Sequence, residues 1–367
     1  MRILIIRLNT SNFGKIGTYN VQEVGLANAL IKRGHKADVV FLHKDTNKVI
    51  DDENYNFVHY LPHVSFGIHG IFKVRLLEQY RPDRIIMWSD NQLWAKNVIR
   101  WSKKHSIPVI QYFGGVLSDN PKFLHQLYTK LILLRNKKSY RYSLNIAKTS
   151  RVENEMKKHG IKSFGKISIG VDTTLLSNEK AIDYEERNEL GFSKTDKIIL
   201  FIGRMDTEKK PFFACEVLKA LAEIDSSYKM IMIGDGRYSE QIDNYIKEEH
   251  LEKIITHIHK VPYKSIHKYM VISDCFVNYS EIEIFGMAIL EAMYYGLPVV
   301  VHSAPGPNDY IDDCENGYIV NSYNVNDWCD KIQTAILNKN VVATNGIATI
   351  LQKYNWDILV NDFLNVM

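Results

Sequence analysis

Apolar positions along the chain fall into short continuous blocks that alternate with longer stretches of helical spacing. Ile3–Ile6, Ala37–Leu42, Arg84–Trp88, Pro108–Tyr112 and Leu144–Ala147 are runs of the kind a buried parallel strand needs. A helix is predicted from about Asn20 to Arg33, closed by Gly34. Lys166–Ile169 is a further strand candidate, and residues 173–195 are polar and strand-poor, as a connection would be. A second series then starts with a strand at Lys197–Ile202, a helix at Pro211–Ile224, a strand at Lys229–Ile233 and a helix at Arg237–Glu248. It continues with a strand over Asp274–Tyr279, a helix from Met287 that stops near Tyr295 before Gly296 and Pro298, and a strand at Val299–Val301. Trp356–Val366 closes the chain as an amphipathic helix. Strand and helix alternating at this spacing predict an α/β protein of two doubly wound domains.

The length of 367 residues suits two domains, each with its own core. With 46% hydrophobic and 24% charged residues the chain is an ordinary globular one, and a formal charge of +4 does not point to nucleic acid. Cys215, Cys275, Cys314 and Cys329 have no zinc-like spacing and read as reduced thiols. The apolar start MRILIIR is too short for a signal-peptide core, and no other run is long enough to cross a membrane. The expected location is cytoplasmic, or peripheral on the inner face of the cell membrane.

The first loop, Asn9–Thr18, contains Gly14 and Gly17 but neither a dinucleotide fingerprint nor a P-loop. The richest chemistry lies in Ser280–Val301. Glu283 and Glu291 stand on either side of Phe285-Gly286, and the helix starts at Met287. Free amides of Phe285, Gly286 and Met287 at a helix start are anion donors, and the two carboxylates are acceptors for hydroxyls. A phosphate flanked by hydroxyl-bearing groups suggests a nucleotide sugar. The loop after Lys197–Ile202 carries Arg204, Lys209 and Lys210, cations at a strand's carboxyl end where open sheets bind ligands.

This pattern closely resembles the Glu-x7-Glu signature of family 4 retaining glycosyltransferases of the GT-B fold, with Glu283-Ile-Phe285-Gly286, Glu291-Ala292 and Gly296-Leu-Pro298-Val-Val. Arg204 and Lys209 match the family's G-R-x4-K loop, with Lys210 where a Gly is common. The resemblance is nearly continuous from 165 to 320 and patchy before. Departures are Ile284 and Ile16 in place of glycines, Ile169 in place of an Asn, and no His after the strand at Gln111–Gly115. The last leaves the acceptor-side group unassigned.

The resemblance implies two Rossmann-like domains facing across a cleft: an acceptor domain over 1–170, a nucleotide-sugar domain over 171–352, and a helix over 353–367 crossing back. It implies Arg204, Lys209 and Glu283 as catalytic residues. Gly17, Val261, Phe285, Gly286, Met287, Glu291 and Gly306 would bind substrate. The turn Gly234-Asp235-Gly236 resembles a family feature but serves equally as a tight turn. No Asp-x-Asp pair accompanies these motifs, so neither metal nor other cofactor is expected. The implied reaction moves a sugar, with retention, from a nucleotide diphosphate donor to a glycan or lipid-linked acceptor of polysaccharide biosynthesis. A nucleotide-sugar epimerase and a non-catalytic nucleotide-sugar-binding subunit are the alternatives. The segment 120–152 has no acid and interleaves Lys122, Lys130, Arg135, Lys137, Lys138, Arg141, Lys148 and Arg151 with apolar residues. That composition suits either an anionic membrane surface or an ordinary packed helix.

Overall fold

A computed structural model describes all residues except 11–20, 44–49, 53–54, 89, 119–122 and 177–183. It divides into two compact units, Met1–Asp172 with Asn355–Met367, and Thr173–Tyr354.

The first unit opens with strand β1 (Arg2–Ile6), helix α1 (Gln22–Lys32) and strand β2 (Lys36–His43). Short strands β3 (Ile50–Asp51), β4 (Val58–Pro62), β5 (Val64–Phe66) and β6 (His69–Ile71) follow. Then come β7 (Arg84–Trp88), α2 (Ala95–Lys104), β8 (Val109–Phe113), α3 (Phe123–Lys137), β9 (Leu144–Ala147) and α4 (Ser150–Lys158). The sheet order is β3-β4-β2-β1-β7-β8-β9. Its ladders are parallel apart from antiparallel β3 against β4. Leu4, Ile6, Val98 and Phe113 lie in its core, which explains why these strands are apolar on both faces.

The second unit contains α5 (Tyr184–Glu189), β10 (Lys197–Ile202), α6 (Pro211–Ile224), β11 (Tyr228–Ile233), α7 (Ser239–Glu248), β12 (Ile255–Ile258) and α8 (Ile266–Val271). It ends with β13 (Cys275–Asn278), α9 (Met287–Tyr294), β14 (Val299–His302), α10 (Pro307–Tyr310), β15 (Tyr318–Val320), α11 (Val325–Leu337) and α12 (Lys339–Lys353). All its ladders are parallel, in the order β12-β11-β10-β13-β14-β15. Its core includes Phe201, Val277 and Trp328.

The final helix, α13 (Trp356–Val366), belongs to the first unit. Asn355 caps it by accepting from the Ile358 amide at 3.1 Å. Its Phe363 is fully buried, with its ring 5.2 Å from that of Tyr112 and 6.4 Å from that of Trp88. Truncating a buried aromatic of this kind costs about 3–5 kcal/mol, so the helix is firmly docked.

The segment Lys166–Ile169 does not form the strand its sequence suggests. It touches β9 by a single bridge, Ala147 with Lys166. The Tyr112 hydroxyl sits against the carbonyls of Ile167 and Ser168, at 2.8 and 3.0 Å.

Both sheets have a topological switch point, where the strand order reverses and the loops at the carboxyl ends diverge. In the first unit it lies between β1 and β7, and in the second between β10 and β13.

Candidate functional site

At the second switch point the loops after β10 and β13 bring together side chains that are far apart in sequence. Lys209 forms an ion pair with the Glu283 carboxylate, and both are largely shielded from water. Asn278, the last residue of β13, donates from Nδ2 to the same carboxylate at 3.3 Å and accepts the Ser280 amide at 3.0 Å. Arg204 is half-exposed and pairs with Asp206 at 2.8 Å and Glu208 at 3.0 Å. Lys210 faces elsewhere: it lies 3.7 Å from Glu281 and 4.7 Å from the ring centre of Tyr323. The two adjacent lysines therefore have different partners.

The acidic loop is held by backbone fit. Gly286 has φ +82°, and a Cβ there would lie 2.6 Å from Ile289 Cδ1, so only glycine serves this N-cap of α9. Phe285 is buried, and its carbonyl accepts from the Tyr310 hydroxyl at 2.7 Å. Gly306 donates to the Glu283 carbonyl at 3.0 Å, and a Cβ on it would collide with Phe285 Cα. Gly306 thus sits against the acidic loop's backbone. The Ile289 and Leu290 amides donate to the Gly286 carbonyl at 3.0 and 3.3 Å, and the start of α9 at Met287 presents the positive end of the helix dipole.

Inside α9, Glu291 is buried, with Tyr263 donating to its Oε1 at 2.8 Å. Burial pushes its carboxyl up to about 7, against the Tyr263 hydrogen bond, which lowers it. A concavity here is lined by Leu176, Tyr263, His267, Met270, Glu291 and Tyr295, among others. Val261 is half-buried just before Tyr263. The turn Gly234–Gly236 is a backbone support, since Gly234 has φ +147° and presses on the Gly203 carbonyl at the start of the Arg204 loop.

The first unit carries a charged cluster at its own switch point. Arg7 follows β1 and pairs with the fully buried Glu23 of α1. Asp90, beyond β7, accepts the Gly114 amide at 3.0 Å. Lys148, directly after β9, is buried with its ammonium 5.0 Å from the Trp88 ring centre and 5.1 Å from that of Tyr112. Burial lowers its pKa, while Asp90 and Glu23 oppose that shift. Lys148 therefore does not belong to the exposed basic surface its sequence neighbourhood suggests. Gly17 lies outside the described residues.

Several of these residues escaped the sequence reading. Tyr263 is 28 positions from Glu291, and no local pattern links them. Asn278 had a signal, as a polar residue closing an apolar strand. Arg7 and Lys148 had the same signal, each a cation directly after a strand.

The fold is the GT-B fold of nucleotide-sugar glycosyltransferases, and the second unit is similar to one glycosyltransferase family. Residues 183–346 match the family described as glycosyl transferases group 1. Among curated relatives, the poly(ribitol-phosphate) alpha-N-acetylglucosaminyltransferase of Staphylococcus aureus (strain COL) is 28% identical over 179 residues, which is 47% of this chain and 36% of that protein. The chain thus aligns with only about a third of that relative's length. An uncharacterized glycosyltransferase of Methanocaldococcus jannaschii is 24% identical over 96% of this chain and 94% of its own. Among solved structures, HepE of Anabaena in complex with UDP superimposes with a TM-score of 0.76 at 19% identity, covering 100% of this chain and 99% of that one.

Proposed function

We propose that the protein transfers a sugar, with retention, from a nucleoside diphosphate donor to a hydroxyl of a lipid-linked or cell-surface glycan. The observation that carries this reading is the meeting of Lys209 and Glu283 at the second switch point, beside the first turn of α9. Lys209, Arg204 and the amides of Phe285, Gly286 and Met287 would neutralise the diphosphate without a metal ion. Glu291 would take the ribose hydroxyls, and the backbone at Val261 the base. Glu283 would face the transferred sugar, on a loop that Gly306 supports. In a same-face mechanism the acceptor hydroxyl attacks as the sugar–phosphate bond breaks, and the leaving phosphate takes the acceptor proton. Because HepE is described with UDP, uridine is the first base to test.

The acceptor side rests on the first unit. Phe123, Leu124, Leu127, Leu131 and Leu134 are exposed along α3, which favours an interfacial helix over an ordinary packed one. Beside it, Arg100, Lys103, Lys104, Lys138 and Arg141 line one concavity. Arg100 is the largest of the influences pressing Lys96 toward its neutral form, with burial, Arg135 and Lys138 adding to it. Such crowding of cations favours an anionic surface, so the protein would work as a peripheral enzyme on the cytoplasmic face of a membrane. Among the described residues, no helix is long and apolar enough to cross one.

The test is incubation with UDP-sugars and a lipid-extract acceptor, following free UDP and the product's anomeric configuration. Release of UDP with an α-linked product supports the reading. Isomerised sugar without transfer indicates an epimerase, and tight binding without turnover a silent subunit.

A further inference from the structure

The edge of the second sheet carries a cluster that the reaction does not use. His257 lies in β12, one position before its end, and His259 follows just beyond the strand, so both rings project from one side. Asp243 of α7 reaches both: its Oδ1 is 2.6 Å from His257 Nδ1, and its Oδ2 is 2.8 Å from His259 Nε2. His257 is almost fully buried, whereas Asp243 and His259 are partly open to solvent.

The protons in this cluster do not balance for neutral rings. The Gly234 carbonyl lies 3.0 Å from His257 Nε2 and can only accept, so that nitrogen carries the ring's hydrogen. A neutral His257 then presents a lone pair at Nδ1, aimed at a carboxylate oxygen that also only accepts. Two acceptors facing each other are satisfied by a cation shared between them, and a metal ion bound by imidazole and carboxylate is such a cation.

We propose that Asp243, His257 and His259 bind one divalent d-block ion, Zn²⁺ being the best match, at the outer edge of the nucleotide-sugar unit. Two imidazoles and a carboxylate with a solvent-open position form a recognised zinc ligand set. The three ligand atoms lie within 4.8 Å of one another. Bonds of about 2.0–2.1 Å in tetrahedral geometry space ligand atoms by about 3.3 Å. The observed contacts of 2.6 and 2.8 Å are shorter than that, so the partly exposed Asp243 and His259 side chains would swing outward to admit the ion. The Gly234 carbonyl is the outer partner that fixes a metal-binding imidazole's tautomer. On the other ring, the Asp235 carboxylate stands 3.9 Å from His259 Nδ1.

The site also has a route to function. Gly234 presses on Gly203, where the Arg204 loop starts, and Gly203 donates to the Ile233 carbonyl at 3.0 Å. An ion that fixes His257 therefore braces the backbone under that loop without touching a donor diphosphate.

The experiment is calorimetric titration of the metal-stripped full chain with Zn²⁺, paired with Co²⁺ absorption spectra. Both use a Cys314→Ser background, because Cys314 is an exposed thiol. The expected result is one equivalent bound at micromolar affinity or tighter, with a tetrahedral Co²⁺ spectrum. Asp243→Asn and His259→Ala each weaken binding at least tenfold while circular dichroism stays unchanged. Absence of saturable binding overturns the proposal. Equal binding by parent and both variants also overturns it, because the ion then sits elsewhere.

Discussion

Glu291 is a buried carboxyl that the fold would be more stable without. Its pKa stands at about 7 against an ordinary 4.5. At about 1.4 kcal/mol per pH unit, that interval makes ionising it in place cost about 3 kcal/mol. The folded chain holds this proton more tightly than the unfolded one. The associated stability is therefore complete below pH 4.5 and is lost as pH rises through about 7. Glu291→Gln is near-isosteric, keeps an oxygen to accept from Tyr263 and never ionises. The variant is predicted to be more stable than the parent at pH 8, by up to about 3 kcal/mol, and within about 1 kcal/mol of it at pH 5. Its affinity for UDP should move the other way. A carboxylate that accepts ribose hydroxyls binds in its ionised form, so the parent's affinity should rise up to about tenfold per pH unit on approaching 7 and level off above it. The variant should bind about 10–100-fold more weakly at pH 8, the loss of a charged acceptor being worth about 1–3 kcal/mol. Urea denaturation at both pH values, with calorimetry of UDP at pH 6, 7 and 8, measures both effects. Comparing the two proteins cancels the titration of the nucleotide's own phosphate. A variant less stable than the parent at pH 8, or parallel affinity curves, would refute the reasoning.

Three further outcomes follow from the same geometry. Lys209→Ala should lower kcat/KM about 10²–10³-fold, the usual loss for one preorganised charge, while Lys210→Ala should change it little; steady-state kinetics with the reverse ranking would misplace the loop. Glu283→Gln should leave affinity for UDP near the parent's and depress kcat with the full donor, and an equal loss of nucleotide affinity would reverse the donor's orientation along α9. Liposome co-sedimentation with anionic vesicles should fall from 50 to 500 mM salt, as exposed charges are screened within about 10 Å at 0.1 M. Reversing Lys130, Lys137 and Lys138 to Glu should abolish it with nucleotide binding intact, whereas undiminished sedimentation would remove α3 from the membrane surface. Arg135 is left out of that set because it is half-buried and donates to Asn97 at 3.0 Å.

The sequence pattern predicted the observed limits of β7, β9, β10, α6 and α13, the strands from short apolar runs and the helices from apolar residues at helical spacing. The short strands from Ile50 to Ile71 went unread, since His59, Pro62, Ser65 and Gly70 break their apolar residues into no continuous run. Lys166–Ile169 misled differently: it touches β9 by a single bridge, and a tyrosine hydroxyl from a strand more than fifty residues away sits against its carbonyls. The acidic loop was legible because Glu283, Phe285, Gly286 and Glu291 act close together in sequence. The first unit's charged cluster was not. Arg7, Glu23, Asp90 and Lys148 come from four separate elements, and only the strand order β1-β7-β8-β9 brings them together.

The central claim is a diphosphate site on the second unit, and comparing UDP with UMP by calorimetry tests it most directly. The β-phosphate is the group that Lys209, Arg204 and the first turn of α9 would hold, and charge-assisted hydrogen bonds are worth about 1.5–3 kcal/mol each. UDP should therefore bind at least tenfold more tightly than UMP. Equal affinities for the two nucleotides would contradict the account.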